Sequence, residues 1–364
     1  MRSLRRTSVL SFALILLAIP QCAAAEAVRT VRAELSSADL SNFAVENLVG
    51  TMRISTAAGD SVVVVATVYA ENQALADAVR LERVPGESGA TRLRVRYPYD
   101  RVSTFRYLPP GYDGPDGFFL GFGNSSTFDY DGRHVRVSPG HGKRLYADLE
   151  IQVPSGRLRA TFRNLVGLVD AAGVQGELRF EVESADLRLR RLEGQITLEG
   201  SSGDTRARDI QGSWESRFSS GDTVLDGFDG EALSLNTTSG DLVLKRVKAG
   251  KIQIEMTSGD ARLVDADVEE FAVEATSGNV AFETIGSRLR DVRIRTSSGD
   301  VALRLPSDAP FEVDARQSSG DMRVGFSDGA AVRRRDALVG YRHGKGGARI
   351  RVTTSSGDLS ISPG

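Results

Sequence analysis

The chain has 364 residues, a formal net charge of −2, 38 Gly, one Trp and one Cys. That length allows one large or two ordinary domains with a sizeable core. The near-neutral charge gives no electrostatic case for nucleic acid, which would call for a basic domain or stripe, so no nucleic-acid partner is expected.

The chain opens with an export signal. Arg2, Arg5 and Arg6 form a positive region, and Val9 to Ile19 is an uncharged, mostly apolar run ended by Pro20. Ala23, Ala24 and Ala25 offer small residues for cleavage before Glu26, so residues 1–25 read as a signal peptide. The run is too short for a membrane-spanning helix, which needs about 20 residues. No other apolar run is longer, so an integral membrane protein is not expected. Gln21 before Cys22 fits poorly with lipid attachment. Cleavage after Ala25 leaves 43 basic and 48 acidic residues, a net charge of −5, and no cysteine. The expected location is exported: periplasmic, cell-surface or extracellular. Disulfides are permitted there but none could form.

Residues 26–96 read as short strands with one helical stretch near Asn72 to Glu82. Residues 97–146 read as an insertion, holding 11 of the 24 aromatic residues and 5 of the 11 Pro. Tyr107, Tyr112, Phe118, Phe119 and Phe122 are candidate partner-binding residues, because exposed aromatics stack well and dominate interface energetics. The alternative is a flap that buries its own rings over one end of the fold.

From residue 147 to 364 the chain repeats. Ser-Gly-Asp occurs with its glycine at Gly203, Gly221, Gly240, Gly259, Gly299, Gly320 and Gly357. Ser277-Gly278-Asn279 fills the one gap, and Ser184-Ala185-Asp186 is a degenerate first copy. Successive central residues lie 18, 18, 19, 19, 19, 21, 21 and 37 apart. Apolar and polar residues alternate on both sides of each turn, as in Leu233, Leu235 and Leu242, Leu244. Period-two alternation means half-buried strands. A single such unit cannot bury its apolar face alone, whereas stacked units can. The expected fold is therefore all-β: a parallel β-solenoid of 18–21 residues per coil, with two short strands per coil. An antiparallel meander is the weaker alternative, because Ser-Gly-Asp lacks the Asn-Gly or Asp-Gly order of tight hairpins. The structural turn residues are those glycines with Asp204, Asp222, Asp241, Asp260, Asp300, Asp321 and Asp358. Their carboxylates are expected to bond local backbone N–H groups. The spacing of 37 reads as one coil plus an inserted basic loop, Arg333-Arg334-Arg335 to Lys345. Arg333, Arg334 and Arg335 are further candidate partner-binding residues, suited to anionic lipid or glycan phosphate.

This pattern of alternating strands and Ser-Gly-Asp turns resembles the bacterial putative-adhesin family, a domain of unknown function in envelope and surface proteins. Phe43 to Val65, with Asn47-Leu48-Val49-Gly50 and Ala58-Gly59-Asp60, is similar to that family's opening strands. Ala147 to Gly156 is similar to the strand and Val-Pro turn leading into its solenoid, and Gly344 to Asp358 to its closing coil. The resemblance implies an envelope or surface module and carries no catalytic residues.

No enzyme is expected. His134, His141 and His343 lack metal-ligand spacing apart from the loose His134/His141 pair, and there is no nucleophile elbow. The aligned Asp residues supply too few oxygens per coil for calcium, which takes six to eight. No metal or cofactor is expected. Trp214 occupies the strand slot of Leu233 one coil later and reads as core. The expected function is a non-catalytic, adhesin-like binding or scaffold module whose partner is an envelope protein or glycan surface. The alternatives are an envelope-stress component that binds a partner protein, and a carbohydrate-active β-helix enzyme.

Overall fold

Leu, Ile, Val and Phe at every second position of the repeats form columns, because equivalent strands lie parallel and in register. Leu235 faces Ile254, Ile254 faces Val273 and Val273 faces Ile294. These side chains are buried, while the residues on either side of each in sequence point outward. The computed structural model describes residues 26–36, 42–86, 89–108, 125–334 and 337–364. The signal-peptide residues, Tyr112, Phe118, Phe119, Phe122 and Arg335 lie outside the described residues.

Two parallel sheets enclose the core. One is built from the strands before each Ser-Gly-Asp corner and the other from the strands after it. Strands such as Thr223–Ser239 and Leu242–Ser258 contribute to both sheets, because pairing continues around the far side of the coil. On that far side a second corner recurs with a left-handed residue, at Arg191, Asp209, Gly227, Arg246 and Asp265. Phe162 and Phe180 stack in the core 5.6 Å apart, and Phe271 and Phe282 stack 4.5 Å apart. Trp214 pairs with Leu233 and is 1% exposed, as its slot predicts.

Glycine is required at the main corner for two reasons. Gly240 has φ +124°, and a Cβ there would lie 2.1 Å from the carbonyl oxygen of Gly221 on the previous coil. Ala185 takes the same slot without a positive φ, so that corner is turned differently.

The stack begins earlier than residue 147. Phe43–Ala57 is its first coil and pairs in parallel with Arg157–Ala172. Lys143–Pro154 pairs in parallel with one half of this coil, and Val62–Ala70 and Ala27–Leu35 continue antiparallel beyond it; Thr91–Arg96 pairs in parallel with the other half, and Arg80–Pro85 continues antiparallel. The helix expected over Asn72 to Glu82 is shorter, Gln73–Ala78, with Asn72 capping the Leu75 N–H at 3.0 Å. Val79 is extended, and Arg80–Pro85 pairs as a strand because its alternating side chains meet Thr91–Arg96. Arg29 donates to the carbonyls of Ala76, Asp77 and Val79, which covers the helix's C-terminal end.

The sequence order and the stacking order part company at the far end. Ala348–Ser356 lies between Asp291–Ser298 and Phe311–Ser319, pairing in parallel with both. The last coil in sequence is therefore the second-last in space. The segment read as an inserted basic loop is a hairpin of Gly329–Arg334 and Ala337–His343, which adds antiparallel to Phe311–Ser319 and closes the stack. Phe311, Phe326 and Tyr341 pack beneath it, with Tyr341 Oη donating to the Phe326 carbonyl at 2.7 Å.

Candidate interaction surface

The Ser-Gly-Asp aspartates do not bond within their own turns. Each except Asp321, which ends the row, accepts the backbone N–H of the equivalent residue on the next coil. Asp204 Oδ1 accepts Asp222 N at 2.9 Å, Asp222 accepts Asp241 N at 2.9 Å, and Asp241 accepts Asp260 N at 2.9 Å. Asn279 keeps the row intact with its own Oδ1, which accepts Asp300 N at 2.9 Å. The row then runs through Asp358 to Asp321, confirming the inverted order of the last two coils. The turn motif is thus a clamp between coils, and one oxygen of each carboxylate is committed to it. A charge-assisted bond to a backbone N–H is among the stronger hydrogen bonds available. Asp186 starts the continuous row, bonding Asp204 N at 3.0 Å. It is 6% exposed, and burial pushes its carboxyl from 3.8 up to about 6. Asp148 makes the same contact to Thr51 N at 2.8 Å, and burial raises its pKa as well. Asp60, by contrast, stands in an exposed turn outside the row.

A buried polar cluster joins the first coils, and sequence reasoning saw only half of it. Asn47 Nδ2 donates to Asn164 Oδ1 at 3.0 Å and to the Ala147 carbonyl at 2.9 Å, and Asn164 Nδ2 donates to the Gly50 carbonyl at 2.9 Å. Both asparagines open an Asn-Leu-Val-Gly tetrapeptide, at 47–50 and 164–167, and the two copies stack in register. That exact repetition across 117 residues was the available signal. Tyr97 Oη donates to Asn47 Oδ1 at 2.8 Å, and Tyr130 Oη to the Val95 carbonyl at 2.9 Å. Burial raises both phenol pKa values well above the usual range. Glu46, almost wholly buried, pairs with Arg94 at 2.6 Å and Arg92 at 3.1 Å.

The described part of the aromatic region is packed rather than displayed. Tyr107, expected as an exposed binding residue, is 3% exposed, with its ring against Tyr146 at 5.1 Å. Its hydroxyl lies beside the corner at Gly167, where an added Cβ would stand 3.1 Å from it. Phe105 and Tyr97 pack edge to face at 5.3 Å. At the other end Arg333 and Arg334 are exposed on the outermost strand. Arg342 pairs with Glu312 at 2.7 Å, and His343 Nδ1 lies 3.0 Å from the Ala309 carbonyl, so these two belong to the closing hairpin.

The solvent face before the corners carries charged columns bridged between coils. A shallow groove of about 540 Å³ runs along it, lined by Glu255, Glu274, Thr257, Thr276 and Arg295 among others. Glu255 accepts from Asn236 at 3.0 Å and Gln253 at 2.9 Å, and Glu274 pairs with Arg295 at 3.2 Å. Among the described residues no group of three or more His, Cys, Asp or Glu is placed to hold a metal ion.

The Toastrack DUF4097 family matches residues 142–362, more than half of the chain. This chain belongs to that family. It is a family of domains of unknown function, in keeping with the resemblance drawn from the turns. This Toastrack chain matches no curated protein. Three solved structures show slight likeness. A "putative cell adhesion protein" of Clostridium sporogenes is 8% identical, with 93% of this chain and 100% of that one covered and a TM-score of 0.19. A "putative lipid binding protein" of Parabacteroides distasonis is 9% identical, with 93% and 96% covered and a TM-score of 0.37. A "putative adhesin" from the same species is 12% identical, with 91% and 97% covered and a TM-score of 0.34. No helix among the described residues of the Toastrack chain is long and apolar enough to cross a membrane.

Proposed function

We propose that this Toastrack protein is exported and works as a non-catalytic binding or scaffold module of the cell envelope or surface. The export signal read in residues 1–25 supports the location. One structural observation supports the activity. The aspartate row ties each coil to the next, so outward side chains stand at fixed intervals of about 4.8 Å on flat faces. Such a surface offers repeated contacts to an extended or repetitive partner. The groove carboxylates Glu255 and Glu274 are engaged by neighbouring donors, which favours binding over hydrolysis.

The test is a binding screen of the purified protein against envelope glycans and envelope-protein extracts, run alongside polysaccharide turnover. The proposal expects saturable binding without turnover. Turnover abolished by Glu255→Gln or Glu274→Gln would replace it with a carbohydrate-active enzyme.

A second reading, capture of a partner protein, has its own support. The strand Gly329–Arg334 is exposed along its length and is the outermost strand on its side, so an extended segment can add to it. Val332→Pro at this edge should abolish such capture and leave glycan binding intact.

A further inference from the structure

The strand that closes the far end of the stack has one open side. Gly329–Arg334 pairs with Ala337–His343 and, among the described residues, with no other strand. All six of its residues are exposed. Val332, 55% exposed, is one of the few large apolar side chains displayed to water among the described residues. Alternation sorts the strand into two faces. Ala331 lies opposite Tyr341, and a Cβ on Gly329 would stand 2.3 Å from the Tyr341 ring, so Gly329, Ala331 and Arg333 take the face of that buried ring. Ala330, Val332 and Arg334 share the outer face, with Asp328 one step before them. Asp328 is exposed, with one carboxylate oxygen bonded to Ser327 next to it.

We propose that Gly329–Arg334 pairs antiparallel with the same strand of a second copy of this chain, forming a two-fold dimer through this end of the solenoid. The inference rests on the capture reading above and names what the open strand captures. Residues directly opposite in an antiparallel pair share one hydrogen-bonding type, so a two-fold pairing centres on a residue. Centred on Ala331, it sets Ala330 opposite the second copy's Val332 and Asp328 opposite its Arg334, each twice by symmetry. The outer face then holds two Ala–Val contacts flanked by two pairs of opposite charge, both of which favour pairing. Arg333 falls opposite Gly329, where it meets no side chain. Centring on Ala330 would set Val332 against Asp328, and centring on Val332 would set Arg334 against Ala330. The charges therefore select one register.

Arg333 and Arg334 also discourage other occupants, because charge on an edge strand opposes chance pairing. A second copy supplies both the facing carboxylate and the small residues that let two backbones approach. A two-fold contact uses the same strand on both copies, so assembly stops at two. A contact of one six-residue strand falls below the about 1,200 Å² of stable complexes, so the dimer forms and dissociates with concentration. Pairing two solenoids this way doubles the faces offered to a repetitive partner.

The experiment is sedimentation of the purified protein over about 1–100 µM, with Asp328→Arg, Arg334→Asp and the double exchange as variants and melting temperature as the check of folding. The mass should rise from one chain towards two. Each single exchange sets like charges opposite each other and should weaken the dimer about tenfold or more, and the double exchange should restore it to within about threefold. A wild-type mass fixed at one chain, a mass passing two chains, single exchanges that leave the dimer unchanged, or a double exchange without recovery would overturn the inference. A monomer that still captures a protein segment, with capture lost in Val332→Pro, would overturn it and leave the capture reading standing. A monomer that captures none would overturn both.

Discussion

Replacing Gly240 with alanine tests the stacked corner, and replacing Gly59 supplies its control. The two glycines have similar φ values, +124° and +128°. Each substitution therefore carries a comparable backbone penalty, about 1–3 kcal/mol for a conformation that L side chains rarely adopt. Only one meets a neighbour. A Cβ at Gly59 has no heavy atom within 4 Å, whereas at Gly240 it lies 2.1 Å from the Gly221 oxygen. Contacts below 3.0 Å essentially do not occur, so the coils must separate locally by about 0.9 Å. That overpacking adds about 1–3 kcal/mol. Stretching the Asp241 N–H bond to Asp222, now 2.9 Å, adds about 1 kcal/mol. Gly240→Ala should thus lose about 3–7 kcal/mol and Gly59→Ala about 1–3 kcal/mol. Urea unfolding gives the midpoints. Amide exchange at residues 239–241 locates the loss, because coil arrays can open in part. Equal destabilisation by the two substitutions would refute the close approach of neighbouring corners.

Three further outcomes follow from the same geometry. Asp186→Asn keeps the Oδ1 acceptor for Asp204 N but removes a carboxylate whose folded pKa is raised, chiefly by burial, from 3.8 to about 6. A raised acid pKa means the folded state favours the proton, so this group stabilises as pH falls from about 6 to 4 and destabilises above that window. The variant should gain about 1–3 kcal/mol over wild type at pH 7 and nothing at pH 4, read from urea midpoints at each pH. Leu244→Asp places a charge at a fully buried position and should cost more than about 4 kcal/mol, so an unchanged melting temperature would remove Leu244 from the core. Asp241→Asn retains the clamp as Asn279 does two coils later, and should change stability by less than about 0.5 kcal/mol; a large loss seen only with calcium present would mean the row binds the metal.

The repeat was legible because its period and its alternation agree. Once the glycines are aligned, Leu244 and Trp214 must point inward, and they do. The aspartate contact was not legible, because a turn motif read in isolation has local donors at hand, whereas the actual donors are 18 to 21 residues away for most of the row. The inverted last coils were hidden for a related reason. Ala348–Ser356 and Phe311–Ser319 have interchangeable patterns, and only pairing shows which one the closing hairpin covers. Tyr107 was not decided by the sequence because aromatic density signals either display or burial; in the structure its ring lies against Tyr146 and is buried.

Every functional statement above depends on the chain working outside the cytoplasm. The most direct test is fractionation of cells expressing the full chain, followed by mass determination of its N-terminus. The account predicts protein in the envelope or extracellular fractions with Glu26 as its first residue. Uncleaved protein beginning at Met1 in the cytosol would contradict it.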